Sequence, residues 1–115
     1  MIELFLQSLA LMLVAHALAD YPLQGDWLAT AKNRTLAPVP GSTIWPGALA
    51  CHAGIHAFGV YLATGSWVLA MGEFAAHAVI DDAKCRGAIG YNADQALHVI
   101  CKVAWAGMLV WWSAP

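Results

Sequence analysis

Apolar and polar positions alternate in long blocks along this chain, and the blocks predict helices of membrane-spanning length. Four apolar stretches cover about residues 2–20, 44–64, 67–82 and 93–112. A helix needs about 20 mostly apolar residues to cross the hydrocarbon layer of a bilayer. The pattern therefore predicts an all-α fold, a four-helix transmembrane bundle in which residues 1–115 form a single domain.

The first stretch also resembles a secretory signal peptide, because Ala17-Leu18-Ala19 has the small residues of a cleavage site. Its start carries Glu3 and no Lys or Arg, whereas signal peptides begin with positive charge. A membrane span is therefore the favoured interpretation. The third stretch is short for a full crossing and contains Glu73, so neighbouring helices have to shield it.

Residues 20–43 are polar by the standards of this chain and predict a re-entrant or interfacial loop between the first two spans. Trp27 suits the level of the lipid headgroups, where amphipathic rings are enriched. The segment contains five residues of the types that interrupt helices, namely Pro22, Gly25, Pro38, Pro40 and Gly41.

Composition supports the membrane assignment. Hydrophobic residues make up 61% of the chain and charged residues 10%, against roughly 25% charged residues in ordinary soluble domains. The net charge of −2 gives no support for nucleic-acid binding, which needs a basic face, and membrane lipid is the expected partner. The three cysteines are odd in number and widely spaced, which favours buried thiols over a disulfide framework.

Pairs of metal-type ligands recur at a spacing of four residues. On a helix such pairs share one face, and each of the four predicted helices carries one pair. These eight side chains are the candidate metal ligands: His16 with Asp20, His52 with His56, His77 with Asp81, and Asp94 with His98.

Alternating crossings place all four pairs in the same half of the bundle. The basic loop residues Lys32, Arg34, Lys84 and Arg86 fall on that side too, and the opposite loop and both termini have none. The positive-inside rule then predicts that the ligand-rich side is cytoplasmic and that both termini are external.

Histidine nitrogen and carboxylate oxygen together suit zinc, manganese or iron. Eight ligands exceed the needs of one tetrahedral ion, which predicts two divalent ions, with zinc favoured. Paired ions can support phosphoester hydrolysis. Lys84 and Arg86 are candidates to hold the phosphate, with Lys32 and Gln24 as further substrate-binding candidates. The candidates for proton transfer are Asp82, Asp26 and Glu73.

Two other interpretations of the pairs stay open. They can be hydrogen bonds that fasten helices together in lipid, or a proton or ion pathway, which intramembrane ionisable residues commonly mark. Either would make the chain a non-enzymatic membrane protein, a conduit or an interaction partner. Lys102 is expected to pair with Glu73 or to extend to the membrane surface.

The combined motifs resemble a family of small bacterial and phage membrane proteins known only as a domain of unknown function. The resemblance extends from about residue 16 to residue 98 and rests on His16-x-x-x-Asp20-Tyr21-x-x-Gln24-x-Asp26-Trp27 with Lys32, His52-x-x-x-His56, His77-x-x-x-Asp81-x-x-Lys84, and Asp94-Gln95-x-x-His98.

More remotely, the His-x-x-x-Asp pairs are similar to those of the inner-membrane metal-dependent hydrolases, and through them to the zinc phospholipase C and single-strand nuclease superfamily. The resemblance implies a multi-pass protein of the bacterial inner membrane that hydrolyses a phosphoester, with a lipid or lipid-linked phosphate at the cytoplasmic leaflet as the expected substrate. A homo-oligomer is compatible with the sequence.

Overall fold

A computed structural model of the chain describes residues 1–114 and shows an all-α protein. The described residues form five helices and no strand. In chain order the helices are α1 (Ile2–Asp20), α2 (Gly25–Ala31), α3 (Trp45–Thr64), α4 (Trp67–Cys85) and α5 (Tyr91–Trp112).

The four long helices form a bundle in which each one packs against two others. Helix α1 lies against α3 and α5, and α4 lies against the same two helices from the opposite side. The short helix α2 packs against α3. The bundle is elongated, with extents of 55 × 24 × 21 Å, so its two ends are separate environments. One end carries the turn between α3 and α4, and the other carries α2 and the remaining connections.

Local signals fix the ends of α3 and α4. Pro46 stands in the first turn of α3, where its missing N–H is not needed. Gly65 ends the helix with a φ of 69°, the left-handed conformation that glycine adopts at no steric cost. The Ser66 side chain then accepts a hydrogen bond from the Leu69 backbone N–H and caps α4.

The segment predicted as a loop contains a helix. Gly25 begins α2 with a φ of 62°. The helix packs against α3, and Ala31 at its end is buried, with 1% of its surface exposed. Contact with α3 thus stabilises a helix whose seven residues would not be helical alone. Helix α4 also differs from the prediction, since it continues to Cys85 rather than ending near residue 82.

The interior changes character along the bundle. At the end that carries the turn between α3 and α4, the core consists of Met12, Val60, Leu69 and Ala106, and we call this the apolar half. Toward the other end most of the large buried side chains are histidines and charged groups, and we call this the polar half. Its buried members are His16, Lys32, His52, His56, Glu73, His77, Asp81, Asp82, Asp94, His98 and Lys102.

The outer surface of the long helices is apolar. Large hydrophobic side chains stand exposed on all four, among them Val14, Leu62, Val79 and Ile100. By length and composition, α1 is the one helix in residues 1–114 that is apolar enough to cross a membrane, and 22% of its most apolar window is buried. The four-span arrangement predicted from the sequence goes beyond this finding.

Candidate metal centre

All five histidines of the chain meet in one cluster inside the polar half. Helices α1, α4 and α5 supply His16, His77 and His98, and α3 supplies the remaining two. The rings of His56 and His77 are stacked with centroids 3.6 Å apart, and those of His77 and His98 with centroids 4.2 Å apart. The helical spacing of four brings each ligand pair onto an inward face, and the packing of the four helices joins the faces.

Four side chains of this cluster offer ligand atoms that lie within 4.8 Å of one another: Asp20, His52, His56 and His77. The Asp20 carboxylate approaches two of the rings, with Oδ1 2.9 Å from His56 Nε2 and 3.4 Å from His52 Nε2. Three imidazoles and a carboxylate are a donor set that suits zinc, manganese or iron. We call these four residues the four-ligand group.

A second group overlaps the first. His16, His77 and His98 also offer nitrogens that lie within 4.8 Å of one another. His16 connects the two groups further, since its Nδ1 lies 3.3 Å from His56 Nδ1 and its Nε2 lies 3.2 Å from Asp20 Oδ2. Because His77 belongs to both groups, six of the eight predicted ligands form one continuous centre.

Several buried nitrogens of the centre have no hydrogen-bond partner. Both ring nitrogens of His52 and of His77, and Nδ1 of His98, are unpartnered, as is Asp94 Oδ1. A buried polar atom without a partner costs about 1–3 kcal/mol, so such a concentration calls for an explanation. A cation bound between the rings would take the lone pair of one nitrogen from each neutral imidazole, and the residues present therefore fit a metal ion.

Carboxylates behind two of the rings can orient them for this role. Glu73 Oε1 lies 3.4 Å from His77 Nδ1, and Asp94 Oδ1 lies 3.3 Å from His98 Nε2. Metal-binding histidines usually donate their second ring N–H to such a group, which fixes the tautomer. This arrangement leaves His77 Nε2 and His98 Nδ1 to face an ion.

Glu73 is itself held in place by two donors below the centre. Lys102 Nζ donates to Glu73 Oε1 at 2.6 Å, and Trp105 Nε1 donates to Oε2 at 2.8 Å. The expected pairing of Lys102 with Glu73 is thus confirmed. Both side chains of the pair are 1% exposed, and the pair lies at the boundary between the polar half and the apolar half. Glu73, predicted as a proton-transfer candidate, thus has both carboxylate oxygens hydrogen-bonded to Lys102 and Trp105.

Gln95 is part of the centre although the sequence analysis did not select it. Its Nε2 donates to Asp20 Oδ2 at 3.1 Å and to Asp94 Oδ2 at 3.0 Å, and its Oε1 lies 3.3 Å from His16 Nε2. Gln95 therefore links two of the predicted ligand pairs. The signal for it was an amide beside Asp94 at the start of an otherwise apolar helix.

Asp81 is held away from the four-ligand group by a lysine. Lys32 Nζ donates to Asp81 Oδ2 at 2.5 Å, and both side chains are almost fully buried. The same carboxylate oxygen lies 3.7 Å from His52 Nε2. Lys32, predicted to bind substrate, is thus committed to a carboxylate inside the protein.

Asp82, a predicted proton-transfer candidate, is also ion-paired. Arg34 donates to both of its oxygens, at 2.6 and 2.8 Å, and Arg86 donates to Oδ2 at 2.9 Å. Arg34 also lies over the Trp45 ring, 4.4 Å from its centroid. The three charged groups tie the segment after α2 to the end of α4, and Arg34 is a further residue that the sequence analysis did not select.

The remaining candidates lie at the outer end of the polar half, near the ends of α1 and α4 and the start of α5, and we call this end the rim. Asp26 is exposed on α2, and its backbone carbonyl accepts from the Thr30 hydroxyl. Gln24 donates to the Asp20 carbonyl at 3.3 Å, while its own Oε1 is buried without a partner. Lys84 is 35% exposed and lies 3.8 Å from Asp94 Oδ2, the longest ion pair made by any of the five basic side chains.

Two tyrosines close the rim between α1 and α5. The Tyr21 and Tyr91 hydroxyls are hydrogen-bonded to each other, and this bond raises the pKa of the Tyr21 phenol. Lys84 Nζ lies over the Tyr91 ring, 5.7 Å from its centroid. Of the four-ligand group, Asp20 is the most exposed side chain, at 13%, so the centre opens toward this rim.

The arrangement can bind a cation at the inner end and an anion at the rim. Histidines with one carboxylate supply the ligands, Asp20 lies between the ligands and the rim, and Lys84 is the least committed positive charge nearby. This combination suits hydrolysis of an ester that carries a negative charge.

Comparison with known proteins identifies a family. No curated protein and no solved structure matches the chain. A family model described as "Protein of unknown function (DUF3307)" matches residues 8–114, which include all five histidines. The resemblance to a family of unknown function is thereby confirmed, and the chain belongs to the DUF3307 family.

Proposed function

We propose that this protein is an integral membrane metal-dependent hydrolase that acts on a lipid or lipid-linked phosphate at the cytoplasmic leaflet. The observation that carries the proposal is the distribution of polarity. Ligand-type side chains with unpartnered nitrogens fill the inside of the bundle, and exposed large hydrophobic side chains cover its outside.

The apolar outer surface and polar interior support a bundle whose four long helices all cross the bilayer. Helices α4 and α5 contain charged residues, but Glu73, Asp81, Asp94 and Lys102 are buried inside the bundle, so the faces left for lipid are apolar. A soluble protein rarely exposes large contiguous apolar areas, whereas lipid favours them. Intramembrane ionisable residues that face the bundle interior commonly have a functional role.

Aromatic side chains at both ends support the same placement. Tyr21, Trp27 and Tyr91 are exposed at the polar end, and Trp67 and Trp111 are exposed at the other. Tyr and Trp concentrate at the two membrane–water interfaces. The basic loop residues lie at the polar end, so we place that end in the cytoplasm and both termini outside.

In this account the ligands come from two long helices. His52 and His56 from α3 and His77 from α4 would hold a divalent transition ion, with zinc favoured and manganese or iron as alternatives. Three histidines and an open position are a ligand set of catalytic zinc sites. Such an ion, when bound, supplies a Lewis acid and a water that is acidic enough to act near neutral pH.

The chain's own groups then divide the remaining work. Asp20 lies at the open side of the group, and one of its carboxylate oxygens would accept a proton from water there. Glu73 keeps the His77 ring oriented through Nδ1. Lys84 orients the phosphate, because its pair with Asp94 is long and its side chain reaches the rim. Arg86 is committed to Asp82 and does not share this role.

A lipid phosphate is the proposed substrate because of where the centre opens. Leu23 and Trp27 are exposed in the segment after α1, which supports a rim at headgroup depth. A lipid brings its phosphate to that level with its chains still in the bilayer. The similarity of the His-x-x-x-Asp pairs to inner-membrane metal-dependent hydrolases favours the same chemistry.

The test of this proposal is release of phosphate or headgroup from vesicles that contain mixed phospholipids and isoprenoid phosphates. We expect release that stops with a chelator and returns with zinc or manganese. Asp20→Asn should abolish turnover, and Lys84→Ala should raise KM about tenfold or more while Arg86→Ala, the matched control, leaves it unchanged. No chelator-sensitive release from any of these lipids would contradict the hydrolase proposal.

A second candidate function is a proton relay, favoured by the continuous contact of the rings of His16, His56, His77 and His98. A conduit must also cross the apolar half, where Met12 and Ala106 are 0% exposed. The pathway therefore ends at the Glu73–Lys102 pair, and the hydrolase is the better supported function. Proton flux across vesicles that contain the protein, without phosphate release, would favour the relay.

The proposed topology can be tested with single cysteines in a chain whose three native cysteines are replaced. Thr35→Cys, in the exposed segment after α2, should react with an impermeant thiol reagent only from the cytoplasmic side. Thr64→Cys, at the end of α3, should react only from outside. Reaction of both positions from the same side would contradict four crossings.

A further inference from the structure

We propose that Gln95 orients His16 as a further ligand of the metal centre, with His16 Nδ1 directed at the ion. The inference rests on the proposed metal centre, whose three histidine ligands come from α3 and α4. It adds a ligand from α1 and a positioning residue from α5, neither of which has a role in the proposed function. It follows from which atoms of the two side chains can donate a hydrogen bond.

The surroundings of Gln95 determine which way its amide points. Its Nε2 donates to Asp20 Oδ2 at 3.1 Å and to Asp94 Oδ2 at 3.0 Å. Ionised carboxylates only accept hydrogen bonds, so the amide nitrogen must face them. The amide oxygen Oε1 then faces His16 Nε2 at 3.3 Å. Because an amide oxygen cannot donate, His16 carries its proton at Nε2.

The second ring nitrogen of His16 therefore keeps its lone pair. A neutral imidazole has one N–H, and in His16 it is at Nε2. The lone pair on Nδ1 faces His56 Nδ1, 3.3 Å away. The His56 ring is fixed in the same way, because its Nε2 lies 2.9 Å from Asp20 Oδ1 and donates to that carboxylate. Two buried lone pairs thus face each other, and neither neutral ring has a proton to place between them.

A divalent ion fits this gap better than an additional proton. Zinc–nitrogen distances of about 2.0–2.1 Å allow two nitrogens 3.3 Å apart to bind one ion. An added proton would join only these two atoms and leave the ring nitrogens of His52 and His77 without a partner. An ion can accept one nitrogen from each of those rings as well.

The position of His16 is compatible with the proposed centre and its chemistry. Its side chain is almost fully buried, and it belongs to a group of nitrogens within 4.8 Å of one another that includes His77. His16 thus lies close to two of the three proposed ligands, His56 and His77. Zinc sites can expand from four to five ligands, so four histidines still leave a position for water.

A double-mutant cycle on zinc affinity tests the inference, with zinc alone as the probe and full-length protein in detergent competing against a zinc indicator. Gln95→Leu removes the amide and should weaken zinc binding about 10–100-fold, the usual cost of losing a partner behind a ligand. His16→Ala should weaken it at least as much. Because Gln95 acts through His16, the double variant should bind zinc no more weakly than His16→Ala.

Gln7→Leu is the matched control, since Gln7 is an exposed glutamine on α1 that donates to Glu3, and it should leave zinc affinity unchanged. Losses of affinity that add in the double variant would overturn the inference, because Gln95 would then act independently of His16. A His16→Ala variant with the zinc affinity of the wild type would overturn it too.

Nitrogen NMR of the zinc-loaded wild-type protein tests the inference without any substitution, and so covers the case in which a variant does not fold. In protein with isotope-labelled histidine nitrogens, His16 should show a proton on Nε2 and a zinc-bound Nδ1. A proton on His16 Nδ1 would overturn the inference. Absence of bound zinc from the wild type would instead contradict the proposed metal centre itself, so the two failures are distinguishable.

Discussion

The two halves of the bundle are held together in opposite ways. In the apolar half, Met12, Val60 and Leu69 fill the interior with side chains that need no partner. In the polar half, each buried group depends on a specific neighbour, as Lys102 depends on Glu73, or has none, as with both nitrogens of His77. Packing alone can stabilise the first half, whereas the second requires complementary charges.

This difference indicates that the polar half is less stable than it could be because its buried groups form the candidate metal centre. Unpartnered buried nitrogens destabilise a fold, and local departures of this kind concentrate at functional sites. The apolar half supplies a rigid base, and the Glu73–Lys102 pair separates it from the centre. Substitutions in the two halves should therefore have separable effects on stability and on metal binding.

The largest effect is expected at the boundary between the halves. Lys102→Met should destabilise the protein by about 3–5 kcal/mol, because it leaves the buried Glu73 carboxylate without its counter-charge. Unfolding by denaturant in mild detergent, followed by tryptophan fluorescence, measures this change. Lys84→Met is the control, since that partly exposed lysine makes a long pair worth about 0–1 kcal/mol. Similar losses in both variants would contradict the boundary role.

A substitution inside the apolar half should affect stability without affecting the metal. Leu69→Ala removes a side chain that is 1% exposed and should lower the free energy of unfolding by about 2–5 kcal/mol. Zinc affinity at subdenaturing conditions should stay the same, because Leu69 belongs to the apolar half. A tenfold change in zinc affinity would show that the two halves are not separable.

Gly59 lies at the close contact between α1 and α3, and a substitution there tests how much that contact contributes to stability. A Cβ atom at this position would lie 2.8 Å from the Ala15 Cβ, so Gly59→Ala must push α1 and α3 apart, at a cost of about 1–3 kcal/mol. Gly54→Ala is the matched control on the same helix. Nothing lies within 4 Å of its added Cβ, and the gain in helix propensity should stabilise the protein by up to about 1 kcal/mol.

The smallest effect is expected at the outer edge of the polar half. Arg86→Ala should change the free energy of unfolding by less than about 1 kcal/mol, because Arg34 keeps both oxygens of Asp82 occupied. The same unfolding measurement checks this. A loss of stability comparable to that of Lys102→Met would mean that the ion pairs at the rim, and not the Glu73–Lys102 pair, stabilise the polar half.

The sequence predicted the helical class, the position of the first helix and the spacing that brings ligands together. Hydropathy blocks locate long helices because apolar faces must be covered by lipid or by other helices. The short helix α2 was missed, since it depends on packing against α3 rather than on its own propensity.

Partners of the charged residues could not be predicted in the same way. Lys32 and Arg34 lie in the segment predicted as a re-entrant or interfacial loop, and their carboxylate partners, Asp81 and Asp82, lie almost 50 residues later. Periodicity determines which face of a helix a residue occupies but not which distant residue it meets. The arginines that pair with Asp82 were therefore not predicted, and the contribution of Gln95 was overlooked.

The most direct test of the central claim is X-ray absorption at the metal edge of protein purified without chelator, with elemental analysis of the same sample. We predict at least one transition ion per chain, with a first shell dominated by imidazole nitrogen, and loss of bound metal in His77→Ala. A wild-type protein that contains no stoichiometric transition ion, and whose unfolding temperature does not rise with added zinc or manganese, would contradict a metal centre.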